Sequence, residues 1–120
     1  MLNRIVFIGD YIRAELSERQ TALETREFLA AAAAAAQAHH CGRVLVVVKD
    51  SRPLFKVDEY GISAYFKALA ANPAYRVALL SDAGEIRASH EYIALLASRQ
   101  RAQVRSFSSE PDALQWLVGS

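Results

Sequence analysis

The chain has 120 residues, of which 52% are hydrophobic and 22% charged, with a formal net charge of +1. That length suits one domain with one core, and so small a charge excludes a strong field toward nucleic acid or an anionic membrane. The lone cysteine, Cys41, excludes an intramolecular disulfide. The four-residue apolar run near the start is too short for a secretory leader or a membrane span, so a cytoplasmic protein without membrane insertion is expected.

Residues 4–8 and 11–16 are strand-like stretches around Gly9-Asp10, a pair suited to a two-residue hairpin turn. In the second stretch Ile12, Ala14 and Leu16 alternate with Tyr11, Arg13 and Glu15, the period of a strand with one wet face. An antiparallel pair at the edge of a sheet is expected. Thr21 and Glu24 have the spacing of a capping box. A helix is expected from there to about residue 40, with Gly42 as its carboxyl-terminal cap and Phe28, Leu29, Ala32 and Ala36 facing inward. The alanine tract at 30–36 favours helix and allows close approach to a sheet, which is sufficient reason for it.

Residues 43–50, RVLVVVKD, hold the most informative stretch. Five apolar residues stand together at 44–48, too many to alternate between core and water. They predict a central parallel strand covered on both faces by helices. Asp58 is placed to cap a helix over 58–71, in which Ile62, Phe66, Leu69 and Ala70 mark the buried stripe, and Asn72-Pro73 ends it. A buried strand follows at 76–80. A helix over 84–100 comes next, with Ile86, His90, Ile93, Ala94 and Ala97 inward. A short strand at 104–107 precedes a last helix capped by Ser109, with Pro111 in its first turn and Leu114 and Leu117 as anchors beside Trp116. The order β-β-α-β-α-β-α-β-α predicts an α/β domain with a single-layer, mainly parallel sheet, an antiparallel amino-terminal edge and right-handed crossovers.

Candidate chemistry gathers where strands end, because ligands in open α/β sheets sit beyond the carboxyl ends of strands. Lys49, Asp50, Ser51 and Arg52 follow the central strand, Ser81 and Asp82 the next, and Ser106 and Ser108 the last. Lys49 and Arg52 suit a phosphate or carboxylate, aided by helix amino termini. The competing reading is that such loops are polar because they are wet.

Other constellations fail on their own terms. Asp50 as a phosphoacceptor lacks the neighbouring carboxylates that hold magnesium. Nucleophilic catalysis at Ser51, Ser81 or Cys41 needs a histidine base, but His39 and His40 end a helix at the opposite edge and His90 lies inside one, a turn or two along. His39, His40 and Cys41 are consecutive and diverge by about 100° per residue, so they cannot share one metal ion. Arg99, Arg101 and Arg105 lack interleaved aromatics for stacking bases. No cofactor, metal or nucleic-acid partner is expected, and no enzymatic activity.

The opening DYIRAEL, the RVLVVVKD strand, the stretch PLFKVDEYGISAYFKAL and the ending RVALLSDAGEIRASHEYIALLASRQRAQVRSFSSEPDALQWL together resemble the SpoIIAA-like family, a branch of the STAS/Sec14-type domains. The resemblance implies a small cytoplasmic α/β domain that acts by binding rather than catalysis. In anti-sigma-factor antagonists of the wider group, a serine opening the helix after the central strand is phosphorylated to control a partner contact. The pattern there reads F-x-D-S-S-G-L. This chain has Phe55, Asp58, Gly61 and Ile62 as landmarks, but Glu59 and Tyr60 occupy the serine positions and Ser63 lies a turn further on. The phosphoswitch serine is therefore absent. Asp58 or Glu59 would imitate the phosphorylated state, and a plain helix cap accounts for Asp58 equally well.

Two functions follow as expectations. The first is a regulatory, protein-interaction domain, a homodimer or the partner of a regulatory protein. It would use Lys49, Asp50, Ser51 and Arg52 with the helix from Asp58, Glu59 and Tyr60, where Phe55 and Tyr65 add aromatic surface. The second is a carrier or sensor of a small anion or lipid, held in a pocket bordered by Lys49, Arg52 and Asp82 near the strand ends.

Overall fold

The computed structural model describes residues 2–51, 65–67, 70–71, 74–81 and 84–119. Five strands, β1 (Leu2–Phe7), β2 (Ile12–Ser17), β3 (Arg43–Lys49), β4 (Arg76–Leu80) and β5 (Val104–Phe107), form one sheet in chain order. The pair β1–β2 is antiparallel and every later pair is parallel. Helices α1 (Ala22–Ala38), α3 (Gly84–Arg99) and α4 (Glu110–Leu117) are joined by α2, described at residues 65–67 and 70 between β3 and β4. The alternation expected from the sequence is thus present, with the antiparallel pair at the amino-terminal edge.

Five consecutive apolar residues can be dry only if both faces of their strand are covered. Val44, Leu45, Val46, Val47 and Val48 are all buried. Val44, Val46 and Val48 point into a large cluster with Phe28 and Ala36 of α1, Phe66 of α2 and Ile93 of α3. Leu45 and Val47 point the other way, against Ala113 and Leu117 of α4. Neighbouring parallel strands joined by crossovers of one hand place successive helices on the same face. Hence α1, α2 and α3 share one side, and α4, which needs no following strand, closes over the other. The register runs Phe7, Ile12, Val44, Val77, Val104 straight across the sheet, so one row of side chains forms the floor beneath the three helices.

The hairpin turns at Gly9-Asp10 as expected. Gly9 takes φ +66, and the Ile8 N–H donates to the Tyr11 carbonyl at 2.8 Å. The capping box is also formed: Thr21 Oγ1 accepts from the Glu24 N–H at 3.3 Å and Glu24 Oε1 accepts from the Thr21 N–H at 3.0 Å. Two expectations need correction. The left-handed residue that ends α1 is His40 (φ 49), not Gly42. Gly42 is small for another reason: a Cβ there would stand 3.1 Å from the Tyr75 ring and 3.3 Å from the Ala74 carbonyl. Ser109 occupies the amino-terminal cap position of α4, but its side chain makes no capping hydrogen bond. Among the described residues, no helix is long and apolar enough to cross a membrane.

Candidate functional site

The strand-end residues occupy one edge, since β3 and β4 are neighbours, but their side chains are largely engaged locally. Lys49 Nζ donates to Glu15 Oε1 at 3.2 Å. Glu15 also pairs with Arg13 at 2.7 Å, and Arg13 reaches Glu110 of α4 at 3.1 Å. The Arg13 guanidinium, with a lesser contribution from Lys49, holds the Glu15 carboxyl below its usual range against the opposing effect of burial. Asp50 is exposed in a left-handed conformation (φ 46), and its carbonyl accepts from the N–H of Glu18, itself at φ 57. Ser51 Oγ donates to the Lys49 carbonyl at 2.9 Å and accepts from the Arg19 N–H at 3.2 Å. Ser81 is buried, its N–H directed to the Phe107 carbonyl at 3.4 Å. Arg52, Phe55, Asp58, Glu59, Tyr60 and Asp82 lie outside the described residues.

Next to this edge the helices and sheet leave a cavity of about 50 Å³. Its apolar walls include Leu16 of β2, Phe28 of α1, Phe66 of α2, Leu79 of β4 and Ile93 of α3. Four polar side chains also line it: Arg19, Thr25, Tyr65 and His90. Helical spacing explains two of them. Thr25 precedes Phe28 by three residues, so it shares the inward face of α1, and His90 precedes Ile93 by three on α3. Arg19 enters from the turn after β2, and the Ser51 hydroxyl that accepts its N–H fixes that turn. Ser51 therefore positions the cavity's cation without lining the cavity itself.

The protonation states follow from burial. Desolvation, reinforced by the Arg19 charge, pushes the His90 imidazole down to about 4, so the ring is neutral at physiological pH. Desolvation, with a smaller effect of Tyr75, pushes the Tyr65 phenol up to about 12, so its hydroxyl keeps its proton. Thr25 and His90 are each 3% exposed, yet Thr25 Oγ1 and His90 Nδ1 have no hydrogen-bond partner among the described residues. A buried polar atom left unpaired costs about 1–3 kcal/mol. Two such atoms, on side chains that line one cavity, mark a place where this chain gives up stability.

The remaining sequence candidates are accounted for by packing. The His39 ring stacks on Phe7 with centroids 4.3 Å apart. The Cys41 thiol lies 3.7 Å from the carbonyls of Asp10 and Arg43. Arg105 covers the rings of Phe107 and Trp116 at 5.7 Å, while Arg99 and Arg101 are exposed. Among the described residues, no three His, Cys, Asp or Glu side chains converge as a metal site. Phe66 is buried and Tyr65 partly so, packed against the main cluster. His90 was legible as an inward helix residue. Thr25 carried the same periodic signal, hidden by the capping box just before it, and nothing in the sequence around Arg19 points to a buried guanidinium. No protein-family model matches the chain, and no curated protein matches it.

Proposed function

We propose that this protein is a non-catalytic, cytoplasmic regulatory domain that binds a small ligand in the cavity between the sheet and α1, α2 and α3. The observation that carries the reading is the apolar space of about 50 Å³ enclosed by the sheet and α1, α2 and α3, on whose walls stand four polar side chains, Arg19, Thr25, Tyr65 and His90. Apolar walls with a few convergent polar groups are the general form of a small-molecule site. Among the described residues, the cavity's titratable side chains are a neutral imidazole, a protonated phenol and a guanidinium, with no carboxylate to orient a histidine base. Native mass spectrometry of the protein purified from its source cells tests this. A reproducible added mass that is lost on denaturation supports it, and a clean sequence mass from every preparation counts against it.

A second reading, association with another copy or with a regulatory protein as in the SpoIIAA-like domains, is favoured by β1. Among the described residues this strand pairs with β2 alone. It presents Leu2, Val6 and Phe7 at 60%, 37% and 39% exposure, with Ile8 just beyond at 43%. An apolar edge strand is a template for pairing with another strand. Sedimentation velocity on the wild type and on Val6→Lys tests its homodimeric form: a dimer lost in the variant supports it, and a wild-type monomer at every concentration removes it.

A further inference from the structure

Resting on the homodimeric form of the second reading, we propose that the β1 edge takes β1 of a second copy, paired antiparallel about a two-fold axis through Ile5, so that the two sheets run on as one. The backbone selects the positions. The Ile8 N–H donates to the Tyr11 carbonyl across the hairpin. In an antiparallel pair, residues bonded to one neighbour alternate with residues that point away from it. Leu2, Arg4 and Val6 therefore bond to β2, opposite Ser17, Glu15 and Arg13. Asn3, Ile5 and Phe7 turn their N–H and carbonyl groups to the open edge, where among the described residues no strand meets them.

Symmetry then fixes the register. A two-fold perpendicular to the sheet keeps each face on its own side, so facing residues differ by an even number of positions and the axis passes through a residue. An axis through Ile5 lets Ile5 exchange both backbone bonds with its symmetry mate, and Asn3 with Phe7 of the second copy. It also sets exposed Leu2 against exposed Ile8, and Arg4 against Val6. An axis through Arg4 would place two guanidinium groups directly opposite, which is destabilising. An axis through Val6 would carry Asn3 past the strand to Gly9 in the turn. Charge favours a second copy over an acidic strand. Arg4, the one charged residue of β1, already has Glu15 as its cross-strand neighbour. The residues whose backbone faces outward are uncharged, and β1 carries no proline to blunt its edge.

The test places single cysteines on β1 of the full chain, in a Cys41→Ser background, and oxidises them with copper phenanthroline. Bonded antiparallel partners stand about 5.5 Å apart at Cα, within the roughly 4.4–6.8 Å that a disulfide spans. Ile5→Cys is expected to give a covalent dimer. Because Ile5 packs against the main cluster, a second pair uses exposed positions. Asn3→Cys mixed with Phe7→Cys should cross-link at least about tenfold faster than either variant alone, whose own symmetry mates stand about 14 Å apart. No gain on mixing overturns the register. Arg4→Cys cross-linking in preference to Ile5→Cys moves the axis and overturns it too, while leaving β1 as the interface. A wild-type dimer in sedimentation velocity that none of these variants cross-links places the interface elsewhere and overturns the proposal. A wild-type monomer at every concentration removes the proposal and the homodimeric reading together.

Discussion

His90 is the residue whose environment makes the sharpest quantitative demand. Its imidazole is 3% exposed on α3 and faces Arg19, Thr25 and Tyr65 around the cavity, and burial together with the Arg19 charge lowers its pKa from 6.5 to about 4. The folded value lies below the unfolded one, so between about pH 6.5 and 4 the unfolded chain binds the extra proton. Stability is then intact above the unfolded pKa and is lost as pH falls toward the folded one. A shift of 6.5 − 4 = 2.5 units, at 1.36 kcal/mol per unit, corresponds to a loss of about 3 kcal/mol between neutral pH and pH 4. Against a typical total of 5–15 kcal/mol that is a large share. Urea denaturation of the wild type and of His90→Leu at pH 7 and pH 4 measures it. Carboxylates such as Glu15, whose folded pKa is depressed, add their own acid loss, but they do so in both proteins, and the difference between the two isolates His90. The wild type should lose about 3 kcal/mol more than His90→Leu over that interval. Equal losses would refute a buried, neutral imidazole at this position.

Three further expectations follow from the packing and the ion pairs. Thr25→Val removes a buried hydroxyl that has no partner and should raise the stability of the ligand-free protein by about 1 kcal/mol or more in the same urea assay; a loss instead would mean that the hydroxyl is satisfied. Leu117→Ala empties a fully buried position beneath α4 and should cost about 2–5 kcal/mol, with a cost under about 1 kcal/mol showing that α4 does not close the second face. Glu15→Gln breaks contacts to Arg13 and Lys49 that are partly exposed, so it should cost no more than about 1 kcal/mol, and that cost should shrink in high salt.

The fold was readable because its strongest signals were periodic or continuous. The unbroken run from Val44 to Val48 demanded cover on both faces, and α4 on one side with α1 to α3 on the other supplies it. The period-two pattern of Ile12, Ala14 and Leu16 likewise placed one face of β2 on the floor of the large cluster. Local backbone chemistry was less readable. Gly42 looked like a helix cap, yet the close approach of Tyr75 is what favours a small residue there, and the left-handed turn fell to His40. The strand-end residues were legible as a group because polar loops beyond strands are conspicuous. Their hydrogen bonds were not, because the pairing of Lys49 with Glu15 depends on strand register. Thr25 and Arg19 went unnoticed for a related reason: a polar residue gains meaning as a site only when three-dimensional packing buries it without a partner or beside a cavity.

Long-range proton–nitrogen NMR spectra of the His90 imidazole, recorded as the pH is lowered from about 7 to about 5, test the buried, neutral ring on the cavity wall most directly. A ring that stays neutral across that range is the predicted result. A ring that takes up its proton near the ordinary value of 6.5, or whose Nδ1 is hydrogen-bonded, would contradict it.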